Sequence, residues 1–369
     1  MGARRFVFNW GVALVKERLD ARKRGEDVPV PWTLPALRRE WNQAKATVAP
    51  WWSENSKEAY SSGLEGLAQA LQAWSERRNG QRRGRRVGLP RFRQKGRSRA
   101  SVSLTTGAIR VDDQSHVVLP RIGRIRTYEP TTTLLKRLEA GTARMLRATV
   151  TRQGERWFVS FTCEVVREPK TPRRLHAVVG ADAGIQHLAV WSTGEMIENP
   201  RPLQHAHHQI ARLTRELARR QPGSRGWEET RRRLARVHAR VANMRRDAWH
   251  KLTTRRAKPF GTVVVETLNV EGLKRNRRLA RVMADAARGN RRRPLRYQCP
   301  WSGSRRVEAN PFYPSSQRGA RCGAVKDILP LWARTFGCEV GGLILDRDEN
   351  AARNLAALAA TVAGSGPET

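Results

Sequence analysis

Apolar residues recur at three- and four-residue intervals through the first 78 positions, the spacing of one face of a helix. Trp10, Val12, Leu14, Val15 and Leu19 predict a first helix, and Leu34-Pro35 opens a second that runs through Leu37 and Trp41. Tyr60, Leu64, Leu67 and Leu71 predict a third between Ser56 and Trp74. Trp51-Trp52 lies among these helices and could stack bases, with core packing the favoured reading. From Ser101 the period shortens. Val102 and Leu104, Ile109 and Val111, Val117 to Leu119, and Ile122 and Ile125 are short runs separated by Gly and Asp turns. Trp157, Val159, Phe161, Cys163 and Val165 alternate with Phe158, Ser160, Thr162 and Glu164, as in a half-buried strand. Residues 101 to 166 are therefore predicted as strands.

The second half mixes the two periods. Ala177 to Ala181 is an apolar run that reads as a buried strand and ends on Asp182. Gly184, a second apolar run from His187 to Val190 and a Thr193-Gly194 turn then predict a hairpin. Thr262 to Glu266 is another β-branched run ending in an acid, and Asp346 to Asn354 places Asp348 at the start of an alanine-rich helix. Between them, Leu234, Val237, Val241, Met244, Ala248 and Leu252 form one helical stripe. Arg232, Arg233, Arg236, Arg240, Arg245 and Arg246 line much of the remaining surface, a pattern suited to bridging a nucleic-acid channel.

Composition narrows the function. The 369 residues, 39% hydrophobic, suffice for two or three domains with real cores. A formal charge of +38 calls for a polyanionic partner, nucleic acid before an anionic membrane surface. No apolar run is long enough to span a bilayer, and a cytoplasmic, nucleoid-associated protein without a membrane partner is expected. Cys163, Cys299, Cys322 and Cys338 are too few for a disulfide framework in a chain of this length. The charge is concentrated in the glycine-rich stretch from Arg77 to Arg99, where Arg77, Arg78, Arg82, Arg83, Arg85, Arg86, Arg91 and Arg93 are candidate phosphate contacts beside Phe92. A solvated loop is the plainer alternative.

Three acids, each at the end of an element, form the donor set that a pair of divalent ions needs. Hard cations take oxygen ligands, and two ions held about 3.5–4 Å apart share carboxylates. A capping role is the alternative for any one of them. His205, His207 and His208 form a cluster without flanking acids or cysteines, which argues against metal there.

GADAGIQHLAV, VVVETLNVEGL, YPSSQ…CGAVK and LDRDENAARNL follow, in this order, the pattern of the TnpB (OrfB) proteins of bacterial insertion sequences. Those are RNA-guided endonucleases related to the compact type V CRISPR effectors, and the resemblance runs over nearly the whole chain. It implies an α/β multidomain fold. A helical recognition domain (1–78), a basic loop (79–100) and a small β-barrel, the wedge (101–166), would precede a RuvC-like, ribonuclease-H-like nuclease domain (175–369). The nuclease domain would carry a helical insertion (203–256) and a zinc-knuckle insertion (313–345). The resemblance further implies Asp182, Glu266 and Asp348 as a catalytic triad holding Mg²⁺ or Mn²⁺, with Asp346 as the neighbour to be distinguished from Asp348. Guide RNA and a DNA target are the implied partners. Asn269 and His250 match family positions without an assigned chemistry.

Two departures qualify the resemblance. The family begins with a strand and a Pro-Thr turn, whereas this chain starts inside the pattern at Gly2 to Asn9, so a misplaced start or a truncation is expected. The family's knuckle uses two C-x-x-C-G pairs to bind zinc. Here the pairs read Gly319-Ala320-Arg321-Cys322-Gly323 and Cys338-Glu339-Val340-Gly341-Gly342, so Cys322 and Cys338 are the residual ligands of a degenerate site, and Cys299 matches no family ligand. The reading drawn is a transposon-encoded, RNA-guided, metal-dependent DNA endonuclease. The alternatives are a cleavage-impaired RNA- and DNA-binding regulator, or a decayed remnant.

Overall fold

A computed structural model describes residues 1–84, 86–98, 100–105, 109–184, 186–267, 285, 292–330 and 333–364. Arg85 and Asn269, singled out above, lie outside these residues. The chain divides into two compact units, Met1–Arg167 and Glu168–Thr369.

The first unit opens with helices α1 (Gly2–Lys23), α2 (Leu34–Val48) and α3 (Lys57–Arg78). The Thr33 hydroxyl accepts from the Ala36 amide at 3.4 Å and Pro35 sits in the first turn, which is why α2 begins there. Strands β1 (Ser101–Thr105), β2 (Arg110–Val111), β3 (His116–Leu119) and β4 (Gly123–Arg126) follow, then helix α4 (Thr132–Glu139) and strands β5 (Ala143–Gln153) and β6 (Arg156–Val165). Leu64, Leu67 and Leu71 of α3 share one buried cluster with Val102 and Leu104 of β1, Val117 and Leu119 of β3, and Ala148 of β5. Helices and strands of this unit thus enclose a common core.

Among the described residues the expected barrel is not closed; two antiparallel sheets form instead, ordered β1-β5-β6 and β2-β3-β4. β1 skips its sequence neighbours and pairs with β5, Val102 opposite Val150, while β2 to β4 form their own meander. Helix α4, in a stretch read as all strand, lies between β4 and β5 along the chain. Along β6 the alternation holds from Val159 onward, but Trp157 is exposed.

The second unit contains β7 (Arg174–Asp182), β8 (His187–Trp191), β9 (Met196–Glu198), α5 (Pro202–Arg219), α6 (Arg225–Ala257), β10 (Phe260–Val265), α7 (Arg292–Trp301), β11 (Arg305–Glu308), β12 (Thr335–Gly337), β13 (Ile344–Asp346) and α8 (Arg347–Gly364). A mixed five-stranded sheet runs in the order β11-β10-β7-β8-β9. β10 is parallel to both β7 and β11, whereas β7, β8 and β9 are antiparallel. Both faces are covered. Val179, Ala181, Val263 and Val265 pack with Trp249 and Leu252 of α6 and Leu295 of α7. On the opposite face Val264 packs with Leu355 and Ala359 of α8. This two-sided burial explains the continuous apolar runs in β7 and β10. The stripe read on α6 packs through Val241 and Leu252, with Trp249 buried beside them and Met244 exposed.

Candidate active site

β7 and β10 lie side by side with Gly180 opposite Val264 and Ala181 opposite Val265. The next residues, Asp182 and Glu266, therefore emerge next to each other at the same end of two parallel strands. Side chains alternate across a sheet, so Asp182 shares a face with Gly180, and Glu266 continues the face of Val264. That face is the one covered by α8.

Helix α8 reaches this face through a close backbone approach. A Cβ on Gly180 would collide with the carbonyl oxygen of Ala352 and come within 2.6 Å of the Ala356 amide. Asp348 precedes Ala352 by one helical turn and so lies on the same side of the helix. Its position is fixed on the other flank by Gly184, where a Cβ would stand 3.1 Å from Asp348 Oδ2. Two strand ends and one helix start thus bring Asp182, Glu266 and Asp348 to one rim of the sheet.

Asp346 has a different job. Its Oδ1 accepts from the backbone N–H of Asp348 at 2.9 Å and of Glu349 at 3.1 Å, the geometry of an N-cap on α8. Glu349 is turned aside to Arg353, at 2.6 Å.

Mg²⁺ or Mn²⁺ matches the rim in donor chemistry, since the three groups offer only carboxylate oxygen. Among the described residues no three His, Cys, Asp or Glu side chains are gathered closely enough to hold an ion. The backbone brings the three positions to one rim. The His205, His207 and His208 cluster on α5 likewise forms no such group among the described residues.

The segment between β11 and α8, the expected knuckle, contains two turns that meet. Gly319 and Ala324 close one turn, with Gly319 N–H donating to Ala324 O at 2.8 Å, and Cys338 N–H donates to Leu343 O at 2.8 Å in the other. The two turns meet where Cys322 Sγ and Cys338 Sγ approach to 3.0 Å. A Cβ on Gly319 would lie 2.9 and 3.3 Å from these two sulfurs, and one on Gly341 3.2 and 3.7 Å. Both glycines therefore occupy the positions from which two further thiols would face the pair. Cys299 lies elsewhere, fully buried in the core between sheet and α7, where burial pushes its thiol up to about 11. Cys163 lies half-buried on β6 in the first unit.

Reasoning from sequence missed two residues that join knuckle and helix. Asn350 and Asn354, buried on one face of α8, donate to Arg318 O, and Asn354 also donates to Ser315 O at 2.8 Å. Asn350 Oδ1 accepts from Ala320 N at 3.0 Å. In the sequence they are two asparagines one turn apart on the helix that carries Asp348, and only the structure shows that both amides are buried.

The basic candidates divide by exposure. Arg82, Arg83, Arg86 and Arg91 are exposed in the 79–100 loop, and Arg77 donates to Arg82 O at 2.9 Å. Arg78 stacks near Trp74. Arg93 is turned inward: its guanidinium lies 3.5 Å from the centre of the Phe8 ring, and Asn9 holds its backbone on both sides. Burial brings its pKa down to about 10. On α6, Arg232, Arg236 and Arg240 are exposed, and Arg233 pairs with Glu216 of α5 at 2.7 Å.

Comparison with known proteins adds family and fold. Residues 160–277 match the OrfB_IS605 model, described as a probable transposase, and residues 289–355 match the Cas12f1-like TNB domain. A Mycobacterium tuberculosis (strain CDC 1551 / Oshkosh) protein named "Putative RNA-guided DNA endonuclease" is 39% identical over 96% of this chain and 81% of its own length. InsQ of Escherichia coli (strain K12), which carries the same description, is 29% identical over 99% of this chain and 89% of its own length. A Cas12f1 chain from a cryo-EM complex with sgRNA and target DNA superposes with a TM-score of 0.55 at 14% identity, covering 96% of this chain and 80% of that one. Among the described residues no helix is long and apolar enough to cross a membrane.

Proposed function

The chain belongs to the OrfB_IS605 probable-transposase family, and from that premise we propose that it is an RNA-guided DNA endonuclease with a RuvC-like, metal-dependent site at Asp182, Glu266 and Asp348. The observation that supports the reading is the backbone arrangement: adjacent strand ends and the Gly180–Ala352 approach carry the positions of Asp182, Glu266 and Asp348 to one rim of the β7–β10 sheet. An antiparallel meander continued by parallel strands, with helices on both faces, agrees with a ribonuclease-H-like domain.

Asp182, Glu266 and Asp348 would hold Mg²⁺ or Mn²⁺. Bound there, such cations stabilise charge on the scissile phosphate and the leaving oxygen and lower the pKa of the attacking water. The chain's own residues prepare that site. Asp346 occupies the first free amides of α8, so Asp348 is not drawn back to cap its own helix. Gly184 keeps the space beside Asp348 Oδ2 clear of a side chain. The positive end of α8 favours an approaching phosphate. Guide pairing would read the target, while exposed arginines such as Arg82, Arg83 and Arg86 neutralise phosphates without reading sequence. The protein would thus act on cytoplasmic, nucleoid DNA.

The two-cysteine knuckle favours a second reading, a cleavage-impaired binder of RNA and DNA. A cation titration separates the two. The full chain is reconstituted with RNA transcribed from its own locus and a duplex target library, and nicking is measured against Mg²⁺, Mn²⁺ and chelator. Nicking that appears with either cation and vanishes with chelator supports the endonuclease. Target capture without nicking at any cation concentration supports the binder.

A further inference from the structure

The knuckle of this chain does not fit a zinc ion. Two thiols remain, and no third His, Cys, Asp or Glu joins them among the described residues. Two thiolates are half of a tetrahedral donor set, and Cys322 Sγ and Cys338 Sγ lie 3.0 Å apart.

What the pair does fit is sulfur–sulfur chemistry. Cys322 is exposed and Cys338 is buried directly behind it. That arrangement sets an accessible attacking sulfur in front of a shielded resolving one. The Gly341 amide donates to Cys338 Sγ at 3.4 Å, and the Lys326 ammonium lies on the same seam, 3.6 Å from Glu339. Gly319 and Gly341 flank the sulfurs with no side chain to hold them apart.

We infer that Cys322 and Cys338 form a redox-active dithiol that is oxidised to an intramolecular disulfide by small-molecule disulfides of the glutathione class. The step balances without any other reactant. Cys322, as thiolate, attacks one sulfur of R–S–S–R, forming Cys322–S–S–R and releasing one R–S⁻. Cys338, as thiolate, then attacks Cys322 Sγ, forming the Cys322–Cys338 bond and releasing the second R–S⁻. Two electrons pass from the protein to the small disulfide, and the two thiol protons end on two R–SH. The bond would join the first turn, which Asn350 and Asn354 tie to α8, to the second, which runs through β13 into Asp346.

The experiment uses the reduced full chain incubated with oxidised glutathione, quenched with acid, denatured, alkylated with N-ethylmaleimide and read by intact-mass and peptide mass spectrometry. Wild type should lose two hydrogens in mass, keep two alkylatable thiols at Cys163 and Cys299, and yield a cross-linked peptide pair containing Cys322 and Cys338. Cys338→Ser should instead accumulate a stable glutathione adduct on Cys322, because the resolving thiol is gone. Three outcomes overturn the inference: four alkylatable thiols in wild type, a persistent Cys322 adduct in wild type and Cys338→Ser alike, or a cross-link through Cys163 or Cys299. None of these readouts depends on DNA cleavage, so the nuclease reading stands or falls separately.

Discussion

Asp346 and Asp348 are two residues apart, and the side chain of the first accepts a hydrogen bond from the backbone of the second at 2.9 Å. This contact separates two aspartates that look interchangeable in the sequence. Asp346→Ala removes an N-cap and should cost about 1 kcal/mol of stability, with Asp346→Asn recovering most of it. Asp348→Ala leaves the cap in place and should change stability by less than about 0.5 kcal/mol. Chemical denaturation of the three variants checks the order. A larger loss in Asp348→Ala than in Asp346→Ala would contradict the assignment.

Gly180 marks the closest approach of the helix that carries Asp348 to the strand that carries Asp182. Gly180→Ala places a methyl group against the Ala352 carbonyl and should destabilise the second unit by about 1–3 kcal/mol. Gly2→Ala, at a helical glycine with open space around it, should be neutral or mildly stabilising. Thermal melts of both variants provide the comparison, and equal behaviour would rule out the close approach.

Much of the second unit was legible in the sequence, and the reasons are local. Buried parallel strands read as unbroken apolar runs, so β7 and β10 stood out, and an acid following each run was visible. The first unit was less legible. The pairing of Val102 with Val150 spans residues that no local period connects, so the grouping of strands into two sheets among the described residues could not be read from the sequence. Arg93 was indistinguishable from its neighbours in a basic run, because only the tertiary fold sets Phe8 beneath it. Asn350 and Asn354 looked like ordinary polar positions on a helix until their partners at Ser315, Arg318 and Ala320 were visible.

The knuckle geometry makes the zinc question experimental. The natural chain should hold well under one zinc per molecule. Gly319→Cys combined with Gly341→Cys should restore stoichiometric metal, because both positions already face the Cys322–Cys338 pair. Elemental analysis after gel filtration measures it. One tightly held zinc in the natural chain would contradict the two-ligand description.

The two classes of arginine in the basic loop should respond differently. Alanine at Arg82, Arg83, Arg85 and Arg86 should flatten the slope of log affinity for RNA against log salt, by roughly 0.7 per lost contact to a single strand. Arg93→Ala should lower the denaturation midpoint instead, since removing a guanidinium stacked on Phe8 costs on the order of 0.5–2 kcal/mol. An unchanged salt slope in the fourfold variant would mean that the loop is only solvated.

The central claim is that three carboxylates at one rim cut DNA while the RNA-holding surface remains a separate function. The direct measurement compares nicking and RNA binding side by side for wild type, Asp182→Ala, Glu266→Ala, Asp348→Ala and Asp346→Ala. Each protein is reconstituted with the RNA of its own locus and a duplex target in Mg²⁺. The expected result is nicking abolished in the first three variants, RNA affinity unchanged in all, and nicking reduced but still detectable in Asp346→Ala at temperatures where it is folded, because Asp348 is then free to turn back onto the uncapped amides. Nicking that persists in Asp182→Ala, or a wild type that binds the target and never cuts it, would contradict the claim.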